Sequence, residues 1–266
     1  MDNKIYIVIM VTVLLLCTGV SANPQFLIPK NAVKISDNLY SLGSAFDKDG
    51  KKVDGLMFVH KRMDAKPGTG GGSTGSSSCY LPLARGTKWK TTESYILDPT
   101  NNNGINNTII SESVQKSMDA WDTQTSYDVF GNRDFSQVVD GVDTAGPDGK
   151  NEVLFGISDP NVIAVTTVWG IFSGPTNQRQ IVEYDLLFND DFAFGNAGPT
   201  SETSLGNTSL MDLEAIGTHE LGHALGLGHP GSTCTEETMY AYASFGETKK
   251  RTLNNGDKAG LKSIYG

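Results

Sequence analysis

Histidine is scarce in this chain. There are 4 among 266 residues, beside 3 cysteines and 3 tryptophans. Basic residues are also in deficit: 21 Lys and Arg stand against 30 Asp and Glu, a formal net charge of −9. That shortage excludes, as the default reading, an electrostatic grip on nucleic acid or anionic lipid, since both need a basic face. No internal repeat is visible. The only long apolar run is Ile5 to Cys17, broken by Thr12 alone. Thirteen helical residues reach roughly 20 Å, short of a bilayer core, so stable membrane insertion is not expected. With Lys4 before the run and Val20-Ser21-Ala22 after it, residues 1–22 read as a signal peptide cleaved before Asn23, and the protein as secreted or extracellular. A retained anchor is the minority reading.

What is present is enough for a core: 38 % hydrophobic residues, with 11 Phe and 9 Tyr. Residues 23–63 form a small N-terminal segment. In it, Ala32–Leu42 and Val53–His60 read as strands around the turn Asp47-Lys48-Asp49-Gly50. Forty residues are few for an independent core. Residues 64–78 form a linker, rich in Gly and Ser from Pro67 onward. The segment before it reads as a propeptide removed in that linker, or as a permanent interaction module. The main domain is 79–266. Its cysteines, Cys79 and Cys234, are the two left once the leader is gone; in an exported protein they pair. The rival reading makes Cys79 a thiolate metal ligand in a latent form.

In the main domain Ile110, Val114, Met118 and Trp121 recur at three or four residues, which predicts a helix over Ile110–Thr123. Strands are predicted at Ser94–Leu97, Phe135–Val139, Glu152–Phe155, Val162–Ile171 and Ile181–Phe188. Gly195–Thr208 reads as an exposed loop. A last helix is expected from Asn255-Gly256 to Gly266.

Three of the four histidines fall within eleven residues, in His219-Glu220-Leu221-Gly222-His223-Ala224-Leu225-Gly226-Leu227-Gly228-His229. This is H-E-x-x-H-x-x-G-x-x-H, a known catalytic pattern. On a helix, residues four apart share one face, so His219 and His223 can share one ion. Ser209 with Asp212 three later is a candidate capping box for that helix. Gly226 ends it, because a residue without Cβ easily takes the positive φ of a sharp reversal. His229 then approaches from another side. Three neutral nitrogens and one open position describe catalytic zinc. Glu220 lies one residue past the first ligand and outside the ligand set, where it can take a proton from water and return it to a leaving amine. A purely structural zinc has no use for that carboxylate.

This segment resembles the metzincin clan of zinc endopeptidases, and its surroundings the matrixin family. Thr238-Met239-Tyr240 is similar to the Met-turn, with Met239 beneath the ligand histidines. The text Leu253…Asp257…Ile264-Tyr265-Gly266 is similar to the closing matrixin helix, and Lys88-Trp89-Lys90 to the segment before the first strand. The resemblance implies an α+β, zincin-like fold: a twisted mixed five-stranded sheet, two long helices, a zinc cleft, a Met-turn and a C-terminal helix. It implies a metalloendopeptidase acting on protein or peptide substrates, monomeric, with Tyr240, Ala241 and Tyr242 lining the pocket. An extended peptide would lie antiparallel to an edge strand, for which Val162–Ile171 is the candidate; an ordinary sheet strand is the alternative. The chain departs from the family at Pro230 and Gly231, which resemble serralysins. It lacks the serralysin glycine-rich repeats and has Ala241 where their ligand tyrosine stands. No Pro-Arg-Cys-Gly latency motif is present. An auxiliary structural zinc needs further histidines, and only His60 remains, in another region. Calcium is a lesser expectation, with Asp140, Asp143, Asp148 and Asn151 as oxygen donors; a solvated turn is the rival. The non-enzyme alternative for the whole chain is an exported, zinc-stabilised but catalytically silent binding module.

Overall fold

The computed structural model describes residues 26–66, 78–198 and 206–266. The leader, most of the linker and part of the Gly195–Thr208 loop lie outside the described residues. In chain order the N-terminal segment gives β1 (Val33–Ser36), β2 (Leu39–Phe46) and β3 (Lys52–Arg62). The main domain continues with β4 (Leu81–Pro82), β5 (Glu93–Leu97), α1 (Asn107–Asp122), β6 (Phe130–Arg133) and β7 (Glu152–Gly156). Then come β8 (Val162–Ile171), β9 (Gln180–Asn189), β10 (Phe194–Gly195) and β11 (Met211–Asp212). The chain closes with α2 (Leu213–Ala224), β12 (Leu227–Gly228), β13 (Tyr242–Ala243) and α3 (Asn255–Tyr265).

The fold is α+β, a mixed sheet with three α-helices among the described residues. Five strands lie in the order β6-β5-β7-β9-β8, with β8 antiparallel to β9 and the other three pairings parallel. The sheet does not stop there. β3 pairs antiparallel with β8, β2 with β3 and β1 with β2, while β13 adds to β3 in parallel. The sheet therefore has nine strands among the described residues. The N-terminal segment has solved its shortage of core by extending the sheet of the main domain. Its strand Met57 and Val59 side chains join Leu42, Val162, Val165 and Trp169 in a second apolar cluster.

α1 buries Ile110, Val114, Met118 and Trp121, the stripe predicted from spacing. It starts three residues before the predicted bound, because the Asn106 side chain accepts from the Thr108 N–H and caps it. Trp121 donates its indole N–H to the Thr218 carbonyl and so fixes α1 on α2. The predicted strand Phe135–Val139 does not form: Phe135 and Val138 are exposed, and the strand lies earlier, at Phe130–Arg133. That strand carries Gly131 and Asn132, which read as a turn in isolation. The capping expectation at Ser209 is also corrected. Met211–Asp212 pairs with Phe194–Gly195, so α2 begins one residue later, and Asp212 accepts from the Ala215 N–H at 2.9 Å. Arg251 pairs with the same Asp212.

The other end of α2 is closed by two distant aromatics. Trp89 donates to the Ala224 carbonyl at 2.8 Å, and the Tyr265 hydroxyl donates to the Leu225 carbonyl at 3.1 Å. A helix end leaves carbonyls without partners, so these bonds explain why the segment before β5 and the last helix are held against α2. Cys79 and Cys234 form a disulfide with Cα atoms 5.4 Å apart, which removes Cys79 as a metal ligand.

Candidate metal centre

His219 and His223 project from one face of α2, as their spacing requires, and Gly226 reverses the chain at φ 102°. The reversal brings His229 back over the helix. Its Nε2 lies 3.2 Å from Nε2 of His219 and 3.1 Å from Nε2 of His223. Zinc–nitrogen bonds of about 2.0–2.1 Å in a tetrahedral site put ligand nitrogens roughly 3.3 Å apart, so this donor set fits a zinc ion. The other ring nitrogens of the two helical histidines are fixed from behind. Nδ1 of His219 is 2.6 Å from the Thr238 carbonyl, and Nδ1 of His223 is 2.7 Å from the Leu227 carbonyl. A carbonyl can only accept, so each Nδ1 carries the proton and each Nε2 offers its lone pair. Burial holds all three imidazoles well below their usual pKa, His223 down to about 3, which keeps them neutral.

The segment under the histidines is tied to α3. Asp257 accepts from the N–H groups of Thr238 and Met239 at 2.7 and 3.1 Å. Met239 packs against Gly222, one residue before His223: a Cβ added there would collide with its sulfur. Lys250 is buried and donates to the carbonyls of Thr238 and Tyr240. Burial pulls its ammonium down to about 8.

Glu220 is fully buried. One carboxylate oxygen accepts from the Thr166 hydroxyl of β8 at 2.7 Å, and the other lies 2.9 Å from Nδ1 of His60. Burial raises its pKa to about 8 against the opposing pull of the Thr166 bond. His60 and Phe58, both on β3, cover the site. The His60 ring stacks on His219 at 3.8 Å, and the Phe58 ring on His223 at 3.9 Å.

Tyr240 and Tyr242 are buried, and Tyr242–Ala243 pairs with Lys61–Arg62 of β3. Lys66 donates to the Tyr240 hydroxyl at 2.8 Å. Ala241 offers its carbonyl to the Asn38 side chain. The candidate pocket residues thus border the metal site but are covered by the N-terminal segment. Val162–Ile171 is a strand with the predicted bounds, and β3 pairs along it. The four proposed calcium donors fall into two acidic groups and not one: Asp140 and Asp148 gather with Glu152, and Asp143 with Glu183 and Asp185, each set with ligand atoms within 4.8 Å of one another. Lys150 places its ammonium 2.5 Å from Asp140 and 2.6 Å from Asp148. Asn151 bonds the backbone of Ser94 and Tyr184, and Asp143 turns to the buried pair Glu183 and Asp185.

Sequence reasoning missed His60, Phe58, Thr166 and Lys250. His60 had one signal, as the fourth of four histidines and two residues from Phe58 in an alternating strand. Nothing local marks Thr166 or Lys250.

Comparison with known proteins agrees with this geometry. Residues 168–266 match the family model described as matrixin. The metalloendoproteinase 2-MMP of Arabidopsis thaliana is 31 % identical over 121 residues, 46 % of this chain and 27 % of the relative. Metalloendoproteinase 1-MMP of the same plant is 44 % identical over 57 residues, 21 % of this chain and 15 % of the relative. Human Matrix metalloproteinase-25 is 38 % identical over 55 residues, 21 % of this chain and 10 % of the relative. The chain spans about a quarter or less of the length of these relatives. The similarity to matrixin is carried by the C-terminal part of the chain, residues 168–266.

Proposed function

We propose that this chain is a secreted zinc-dependent endopeptidase. The observation that carries the reading is the convergence of three Nε2 atoms on one point, those of His219 and His223 left proton-free by their Nδ1 bonds, with the carboxylate of Glu220 on the same helix. His219, His223 and His229 hold the ion, Met239 supports them from below, and Glu220 handles protons. Zinc bound there supplies a Lewis acid for the scissile carbonyl and acidifies water. Glu220 accepts the proton of the attacking water and then donates it to the leaving amine. Its raised pKa suits both halves of that exchange, because a group that titrates near neutrality gives up a proton as readily as it takes one. Thr166 orients the carboxylate through its hydroxyl. Substrates are protein or peptide segments. The disulfide supports an oxidising, extracytoplasmic compartment. No helix among the described residues is long and apolar enough to cross a membrane.

The test is Glu220→Gln in a chain whose cover over the site is opened by Phe58→Ala/His60→Ala, with zinc measured beside hydrolysis of a denatured protein. Glutamine keeps the shape and loses the proton transfer, so zinc is retained while turnover falls on the order of 10²–10⁴-fold. Equal turnover in both forms would overturn the mechanism. Bound zinc with no turnover in any form of the chain would favour the catalytically silent binding module.

A further inference from the structure

The three histidines are assembled, yet the side of the site that holds Glu220 is closed. His219, Glu220 and His223 are 0 % exposed. A reacting group must come within about 2.6–3.2 Å of a general base, directly or through one water. His60 holds that place, with Nδ1 2.9 Å from Glu220. Phe58 closes the other side, stacked on His223 and edge-on to His229. Both covering side chains come from one strand, and that strand lies outside the catalytic domain by sequence.

The position of that strand is informative. β3 runs antiparallel to β8 over Asp54–Lys61, and its end runs parallel to β13. β3 therefore lies in a slot between β8 and the segment after Met239. Without β3, both walls would present unpaired backbone N–H and C=O groups, which is how a sheet edge takes up an extended peptide. The β8 wall would also present Val162, Val165 and Trp169, which now pack on Met57 and Val59. β1, at the outer rim, is exposed at every residue. The unit is thus held mainly through one strand ladder and the side chains that strand presents.

We propose that residues 33–62 are an internal inhibitor: β3 occupies the substrate groove in place of an extended peptide, with Phe58 and His60 as its plug. The proposal rests on the endopeptidase reading for its consequence, though not for its geometry. The ligand class of the groove follows: an extended, strand-forming segment with an aromatic side chain two residues before the one that meets Glu220. Removal of the N-terminal segment, in the Gly/Ser-rich sequence after Lys66, frees the groove. This deepens the propeptide reading by giving its mode of inhibition, which needs no cysteine.

The test reads metal access as well as activity. The full chain is loaded with cobalt(II), and acetohydroxamate is titrated against its visible spectrum. The parent spectrum should not move. In Phe58→Ala/His60→Ala the probe should reach the metal. Gly55→Val supplies a second, independent opening: its side chain would meet Trp169 at 2.7 Å and wedge β3 from β8 without touching the metal pocket. If the open form is a small minority in the parent, opening raises apparent affinity for the probe by about tenfold or more. With zinc, hydrolysis of a fluorogenic peptide should rise in step, and a synthetic peptide of residues 51–64 should suppress it. A parent that binds the probe as readily as both variants would overturn the proposal. Probe access in the variants with no hydrolysis would leave the inhibitor standing and overturn the peptidase reading instead.

Discussion

Lys250 places its ammonium 2.9 Å from the Thr238 carbonyl, the same oxygen that receives the Nδ1 proton of His219. One carbonyl thus joins a buried cation to a candidate metal ligand. The lysine has no role in the proton chemistry, but it holds the turn against which the histidine is oriented. Lys250→Met keeps the volume and removes both donor bonds. Outer-shell partners of this kind typically change metal affinity on the order of 10–100-fold. Zinc competition with a chelator should show a loss in that range, with the Zn-saturated form still folded by circular dichroism.

Gly222 has no room for a side chain. Besides the Met239 sulfur, a Cβ there would meet Trp121 at 2.7 Å. Gly222→Ala must move either the methionine beneath the ligands or α1 itself. Overpacking of a tight core costs about 1–3 kcal/mol. A lowered Tm together with weaker zinc binding is expected; a lowered Tm with unchanged zinc affinity would place the strain on Trp121 alone.

Glu183 is buried beside Asp143 and Asp185, and burial with those neighbouring charges pushes its pKa up to about 10. The folded pKa lies above the unfolded one, near 4.5. The stabilising contribution of the protonated acid is therefore complete below about pH 4.5 and is lost progressively as pH rises toward 10. Glu183→Gln mimics the protonated acid. The variant should lose less Tm than the parent between pH 6 and pH 9.5, as read by calorimetry.

The disulfide joins residues separated by 155 positions. In the chain-entropy account, a loop of that size is worth about 5 kcal/mol through the unfolded state. Cys79→Ser/Cys234→Ser should show a large fall in denaturation midpoint with the zinc site still assembled at low temperature. If Cys79 served the metal instead, the same variant would change zinc affinity before it changed stability.

The metal site was legible because its logic is local. A helix places His219 and His223 on one face whatever surrounds it, and Gly226 can reverse the chain because it lacks a Cβ. The stripe of α1 and the bounds of β8 were legible for the same reason, since their periodicity is set by their own backbone. The misses came where a partner decides. Phe130–Arg133 is a strand because β5 pairs with it, although Gly131 and Asn132 favour a turn. α2 begins at Leu213 because β10 takes up the two residues before it.

The four histidines show the division best. The sequence by itself determined that three of them can converge on one point and that Glu220 lies beside them, since helix geometry and one glycine turn suffice. Only the tertiary structure decided what His60 does. Its position 160 residues from Glu220 carries no local signal, and β3 reaches the site only because strand pairing along β8 joins two segments distant in the chain. Backbone hydrogen bonding between strands depends little on side-chain identity, so the register that brings Phe58 and His60 over the metal site follows from the assembled sheet and the packing beneath it.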